Sequence, residues 1–271
     1  MKFFKINAEP GPVVSIVLPA ALFVLSIGAY LVTAHVRHQE NPQDKLVPTL
    51  SKMGEGFYRT AFEADRKGDY RLLVDTAASG RRFLISVALM VFAVTLGLHM
   101  GVMPYWEKFF LRFVTFFDKI PALAILPILF IIFGLGEVSK IALIVIGVFP
   151  TITLDTYLRA NGVPRQQIIK GLTLGASDLE VAYRIVLPQV LPGVLDTIRL
   201  NFKAVILFLI AGESLAATVG LGYRIFVVRR YIAMDIIIPY VIWMSLLAFA
   251  ADYLLRWYIE RRYHWSTGEA Q

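Results

Sequence analysis

Ser177, Asp178 and Glu180 stand in the order S-D-x-E. In an S-x-x-E pattern the hydroxyl accepts from the amide three residues on, and the glutamate reaches back to the serine amide. The pattern marks a helix N-terminus. Asp178 adds negative charge at the positive end of that helix dipole. Gly175, just upstream, suits a left-handed position that ends the preceding turn. Glu213 is a second polar group to explain: it sits beside Ser214 at the end of a long apolar run. An ionisable residue in that position reads as a gate or pathway group, or as an ordinary interfacial glutamate. Nothing here resembles a catalytic constellation. The four histidines (His35, His38, His99 and His264) are dispersed, there is no cysteine, and no G-x-x-x-x-G-K-[ST] phosphate loop occurs. No metal site, bound cofactor or ATP hydrolysis is therefore expected of this polypeptide.

The elements that must position these groups are membrane spans. The chain has 271 residues, 57% hydrophobic and 17% charged, with a mean hydropathy of +0.64. A soluble domain is roughly 45–50% apolar and about 25% charged, and several apolar runs here reach the ~20 residues that cross a bilayer. The expectation is an all-α polytopic membrane protein with about six transmembrane helices, near 13–34, 83–103, 113–133, 139–158, 193–212 and 236–257. The first follows Lys2 and Lys5 but is longer than a signal-peptide core of about 7–15 residues, and reads as a retained span. A net charge of +7 suits a protein beside anionic lipid. With basic residues dispersed and no binding motif, nucleic acid is not an expected partner.

The division is then a first span over 1–34, an amphipathic connector over 35–74, a core over 75–262 and a tail over 263–271. Most of the connector reads as a solvated loop, with short amphipathic helices available to it. Gly97 and Gly101 form a GxxxG that permits close helix approach. Pro121 and Pro127 lie inside the third span, which must bend or unwind there; such a helix lines a pathway or packs hard on a neighbour. Asp196, Arg199 and Lys203 recur at helical spacing near the start of the fifth span, where long side chains reach headgroups. Between spans four and five, Pro164–Gly193 reads as a helix, a sharp turn at Gly175–Ala176 and a second helix, ended by Pro188 and Pro192. Ile168, Leu172, Ala176, Leu179 and Tyr183 give it one apolar stripe. Such an element either packs the end of the bundle or is a plug moved by a partner. The 27 Lys and Arg divide almost evenly between the two sides, so the positive-inside rule does not orient the chain.

Gly175-Ala176-Ser177, with Ile185, Leu187 and Pro188, resembles the second half of the E-A-A loop of ABC importer permeases: Gly, nine residues, then I-x-L-P. In the E-A-A positions stand Ile169, Lys170 and Gly171, a departure that removes one polar contact. IPALAILPILFIIFGLGEVSKI (120–141), Gly212-Glu213 followed by GLGYRIF (220–226), and DTAASGRR (75–82) resemble, in order and spacing, stretches of permeases of the nitrate/sulfonate/taurine class. NPQDKLVP and GLGYRIFVVRRYIAMD resemble a subgroup found with urea carboxylase genes.

The resemblance implies a type I ABC importer permease architecture in the bacterial inner membrane, N-terminus inside, with a cytoplasmic coupling helix. It implies a second permease copy, two ABC ATPase subunits that consume ATP, an extracytoplasmic solute-binding protein, and surrounding membrane lipid. The segment that meets the ATPase is then Lys170, Gly171, Gly175, Ala176, Ser177, Asp178, Glu180, Arg184, Leu187 and Pro188. Gly175 sets the turn, Ser177 and Glu180 stiffen the docking helix, and Leu187–Pro188 pass its motion on. Pro121, Pro127, Glu213 and Ser214 are the implied path or gate positions. The alternatives are a stand-alone secondary transporter or channel, which needs internal repeats, or a membrane scaffold without transport.

Overall fold

A computed structural model describes residues 11–41, 44–65 and 68–265. Lys2 and Lys5, Pro42 and Gln43 of the NPQDKLVP segment, and residues 266–271 of the tail lie outside these. Among the described residues the chain is helical, apart from an isolated bridge between Ala64 and Tyr70. Among the described residues five helices are long and apolar enough to cross a membrane, and two bent pairs raise the number to seven at most.

Helix α1 (Pro12–Glu40) leaves most of its apolar surface outward, as a lipid-facing span does. Its C-terminal end is tied down. Tyr30 donates to the Pro48 carbonyl at 2.7 Å, and Arg37 pairs with Asp44 at 2.6 Å. Helix α2 (Leu50–Phe62) occupies much of the connector that reads as solvated loop. Its buried Gly56 lies against the Asp235 backbone at the start of the last helix, Met53 accepts from the Tyr30 hydroxyl of α1, and Arg59 pairs with Asp235. The periodicity of apolar residues in α2 makes it worth burying despite its charges.

The central pair is α3 (Arg71–Val102) and α6 (Glu137–Asn161). Gly97 and Gly101 meet α6 at Thr153–Ala160, where an added methyl would overlap the Tyr157 backbone and Ala160. Met90, Ala93, Ile144, Val148 and Ile152 fill the middle of this contact. α3 begins well before the expected 83. The polar stretch 75–82 stays helical because its side chains find buried partners, described below.

The third span is not one bent helix. It is α4 (Pro104–Asp118) and α5 (Ala122–Phe133), set at 100° to each other. The break falls at Lys119–Pro121, since a proline disfavours helical geometry in the residue before it. Pro121 becomes the N-cap of α5, and Pro127 sits within α5 without interrupting it.

The fifth span also differs from expectation. Helix α7 (Arg165–Thr173) is followed by α8 (Asp178–Glu180), a π-helical turn (Val181–Val186), α9 (Leu187–Leu200) and α10 (Phe202–Ala216). Pro188 and Pro192 do not end the helix. The π turn shifts the hydrogen-bond register, with the Leu187 amide donating to the Ala182 carbonyl five residues back. Pro188 then falls in the first turn of α9, where a missing amide is tolerated. At Asn201 the bonding continues, from Asn201 to Thr197 and from Val205 to Asn201. One hydrogen-bonded run thus leads from Asp178 to Ala216. Helix α11 (Leu221–Arg229) follows at 55° to α10, and α12 (Met234–Arg262) closes the chain.

Candidate functional site

Two polar constructions sit at opposite ends of the helical run 178–216. At its start, α7 ends in a glycine cap. Gly175 has φ +90°, the Ala176 amide donates to the Gly171 carbonyl at 3.1 Å, and the Gly175 amide to Leu172 at 3.0 Å. This is the Schellman arrangement, which places glycine at the left-handed position. Two residues on, Ser177 Oγ accepts the Glu180 amide at 3.3 Å and Glu180 Oε2 accepts the Ser177 amide at 3.1 Å. A helix stop and a helix start therefore abut and fix an elbow. Arg184 pairs with Glu180 at 3.3 Å on the surface.

The elbow's inner side is packed. Val181, Ala182, Val186 and Val190 bury themselves against Leu98 of α3 and against Ala160 and Val163 at the end of α6. Tyr183 meets His99 edge to face at 5.7 Å. The apolar stripe read from sequence divides at the turn. Ile168 and Ala176 pack inward, whereas Leu172, Leu179 and Tyr183 are exposed, as are Ile169 and Leu174. Lys170 and Asp178 are exposed, Gly171 is buried beside Ile185, Leu187 packs on the inner cluster and Pro188 is exposed.

At the far end of the run lies a buried ionic cluster. Glu213 of α10 is fully buried. It receives Arg82 Nη1 at 2.6 Å, the Ser79 hydroxyl at 2.7 and 2.9 Å, and the Gly222 amide at 2.8 Å. Arg82, 3% exposed, turns its other nitrogens to Glu137 at 2.6 and 2.8 Å, and Lys140 joins Glu137 at 2.9 Å. Asp75 accepts the Gly220 amide at 2.9 Å, Arg224 Nε at 2.8 Å and the Tyr240 hydroxyl at 3.3 Å. Three carboxylates thus face three cations: Asp75 and Glu213 are wholly buried, while Glu137 stands half exposed at the cluster's edge. Charges removed from water persist only when paired and hydrogen-bonded in this way.

The cluster's common object is the bend between α10 and α11. The first amides of α11 lack partners within the helix. Asp75, Ser79 and Glu213 accept those of Gly220, Leu221 and Gly222, while Arg82 donates to the Val219 carbonyl at 3.0 Å. Gly220 has φ +139°, and its α-carbon lies against the Glu213 carboxylate, so no side chain fits there. The arrangement holds a bent segment with groups from five helices, α3, α6, α10, α11 and α12; it is not a nucleophile–base pair.

Of the path positions named from sequence, only Glu213 enters this cluster. Ser214 donates to the Ala211 carbonyl at 2.8 Å, and Pro121 and Pro127 belong to α5. Asp75, Ser79, Arg82, Glu137, Lys140, Arg224 and Tyr240 were not assigned from sequence. Their signal was present in part: Asp75, Ser79 and Arg82 follow i, i+4, i+7 and so share one helix face.

The fold, the elbow and the cluster belong to a transport permease. Residues 89–264 match the family model described as binding-protein-dependent transport system inner membrane component. The chain belongs to that family. It is 30% identical over 204 residues to the taurine transport system permease protein of Escherichia coli, covering 75% of this chain and 74% of that one. To the formylaminopyrimidine transport permease protein of Halalkalibacterium halodurans it is 30% identical over 144 residues, covering 52% and 57%. An inward-facing structure of the MetNI methionine ABC transporter superposes with a TM-score of 0.59 at 18% identity, over 73% of this chain and 96% of that chain. The protein is a multi-pass inner-membrane permease of an ABC importer with the type I permease fold, and the secondary-transporter alternative falls away.

Proposed function

We propose that two copies of this permease form the path for a small sulfonate-like solute, with an extracytoplasmic binding protein delivering it and two ATPase subunits docking on the elbows. The chain itself binds no cofactor; ATP is consumed by the partner subunits. The segment Lys170–Pro188 is the ATPase contact. The observation that carries this reading is the elbow's apolar rim: Ile169, Leu172, Leu174 and Leu179 are 59, 42, 87 and 56% exposed, next to the back-to-back caps. An apolar patch on a fixed elbow at the end of a bundle suits a protein groove. The solute class follows from the taurine permease as a relative.

In this reading, ATP-driven closure of the ATPase dimer displaces the elbow, and the helical run 178–216 carries the displacement towards Glu213. From Asp178 to Glu213 the helix rise is about 50 Å. The cluster around Glu213 acts as the far anchor, a packed element with two arrangements that the elbow biases. Pro121 and Pro127 set the course of α5 beside the path, and Ser214 lies next to the anchor at Glu213.

The test is affinity purification of the tagged permease from its native host in detergent, with mass spectrometry of the partners. A Walker-motif ATPase should co-purify with the wild type and be lost when residues 175–180 are scrambled. Recovery of the permease alone, or an ATPase indifferent to the scrambled elbow, contradicts the docking assignment.

A further inference from the structure

Helix α4 turns two different surfaces outward. Projected at 3.6 residues per turn, Tyr105, Phe109, Phe113 and Phe116 fall within about 80° of arc, and Lys108, Arg112 and Lys119 fill about 40° beside them. All of these residues are exposed. Lys119 pairs with the neighbouring Asp118 at 3.0 Å, whereas Lys108 and Arg112 have no partner among the described residues. The acids of the helix are taken up by the bundle: Tyr157 donates to Glu107 at 2.8 Å and Thr151 to Asp118 at 2.9 Å, both from α6.

These contacts also set the course of α4. Glu107 and Asp118 are about 16 Å apart along α4, but Tyr157 and Thr151 only about 9 Å apart along α6. Helix α4 therefore crosses α6 obliquely. It does so at the elbow end, where Val114 packs on Met100 of α3 and on Tyr157. Helix α5, at 100° to α4, carries no charged residue and suits hydrocarbon. Were α4 to run through hydrocarbon instead, its cations would be strung over about 16 Å of lipid-facing surface that does not solvate them.

We infer that α4 lies in the bilayer interface beside the elbow and binds anionic phospholipid. Its aromatic sector sits among the upper acyl chains, and Lys108, Arg112 and Lys119 take the phosphates. The occupant is lipid rather than protein because the face divides lengthwise into an apolar and a cationic half, as a phospholipid does. The site is tied to the elbow. The rings of Trp106 and His99 lie 5.0 Å apart, and His99 in turn meets Tyr183. Lipid that holds α4 therefore steadies one wall of the elbow.

The chain has no native cysteine, so a single nitroxide can be placed at Phe109→Cys or at Phe116→Cys. Each labelled full-length permease is put into bilayers of phosphatidylcholine and phosphatidylglycerol. Collision with oxygen and with a water-soluble nickel chelate gives the depth of the label. The two positions are about 10 Å apart along α4. Both should report nearly the same shallow depth beneath the phosphates, and depths that differ by most of that rise overturn the placement. Labels shielded from both reagents show a protein over α4 and overturn it too. Native mass spectrometry of the unlabelled permease, from micelles holding equal amounts of the two lipids, reads the headgroup preference. Wild type should retain mainly phosphatidylglycerol. Lys108→Gln/Arg112→Gln should lower its share about fivefold, and Lys108→Arg/Arg112→Lys should keep it. Lys45→Gln, at an exposed cation of the connector, should change nothing. A preference that survives Lys108→Gln/Arg112→Gln, or that is lost equally in Lys45→Gln, overturns the headgroup assignment.

Discussion

Arg82 and Glu213 form an ion pair at 2.6 Å that joins α3 to α10, and both side chains are almost wholly withdrawn from solvent. The pair does more than hold two helices together. The same carboxylate accepts the Gly222 amide, so the charge that anchors α10 also fixes where α11 begins. Replacing Glu213 by Gln retains its shape but points an amide donor at a site filled with donors, namely Ser79, Arg82 and the Gly222 amide. The expected cost is about 2 kcal/mol, and Glu213→Ala, which leaves Arg82 with one carboxylate fewer, should cost about 3 kcal/mol or more. Thermal unfolding in detergent should rank wild type, Gln and Ala in that order. Uptake should fall in both variants while ATPase co-purification persists. Equal stability of all three would show that the cluster contributes nothing to the fold.

Gly220 should tolerate no side chain. Its φ of +139° strains any L-residue, and an added methyl would sit on the Glu213 carboxylate and Arg82. Gly220→Ala is expected to destabilise the protein more than Gly68→Ala, which also has positive φ but open space around it. The difference between the two melting temperatures measures the clash together with the harsher backbone geometry at Gly220.

Gly175 has φ +90° with open space around it, so there only the backbone objects. Gly175→Val should lose the Schellman geometry, because β-branched residues resist positive φ. The predicted phenotype is membrane insertion at wild-type level with ATP hydrolysis no longer linked to uptake. Wild-type uptake by this variant would remove the elbow from the coupling mechanism.

Ser177→Ala removes one half of the capping box. A loss of about 1 kcal/mol of local helix stability is expected, seen as faster amide exchange over residues 178–182 with the bundle unchanged. Glu180→Gln should be milder, since a glutamine oxygen still accepts the Ser177 amide now bound at 3.1 Å.

The local chemistry of the elbow was legible in the sequence because caps are short-range. Gly175, Ser177 and Glu180 each act within three to five residues of chain, and the structure places them as that chemistry requires. The ionic cluster was not, because its partners are far apart: Ser79 and Glu213 are separated by 134 positions. Hydropathy also hid it. The apolar signal of α3 begins near Phe83, so Asp75, Ser79 and Arg82 read as lying outside the membrane helix, whereas their pairing lets the helix extend to Arg71. The prolines misled in opposite senses. Pro188 and Pro192 resemble a stop, but a π turn puts Pro188 in the first turn of α9 and Pro192 sits inside that helix, and the break in the third span comes before Pro121 rather than at Pro127.

If the elbow couples this permease to ATP hydrolysis, solute uptake into proteoliposomes will depend on it. With the permease, its co-purifying ATPase and its binding protein reconstituted, uptake should require ATP on the elbow side. It should survive collapse of all ion gradients by ionophore and vanish in Gly175→Val. Uptake by the permease alone, driven by an ion gradient and indifferent to ATP, would contradict the account.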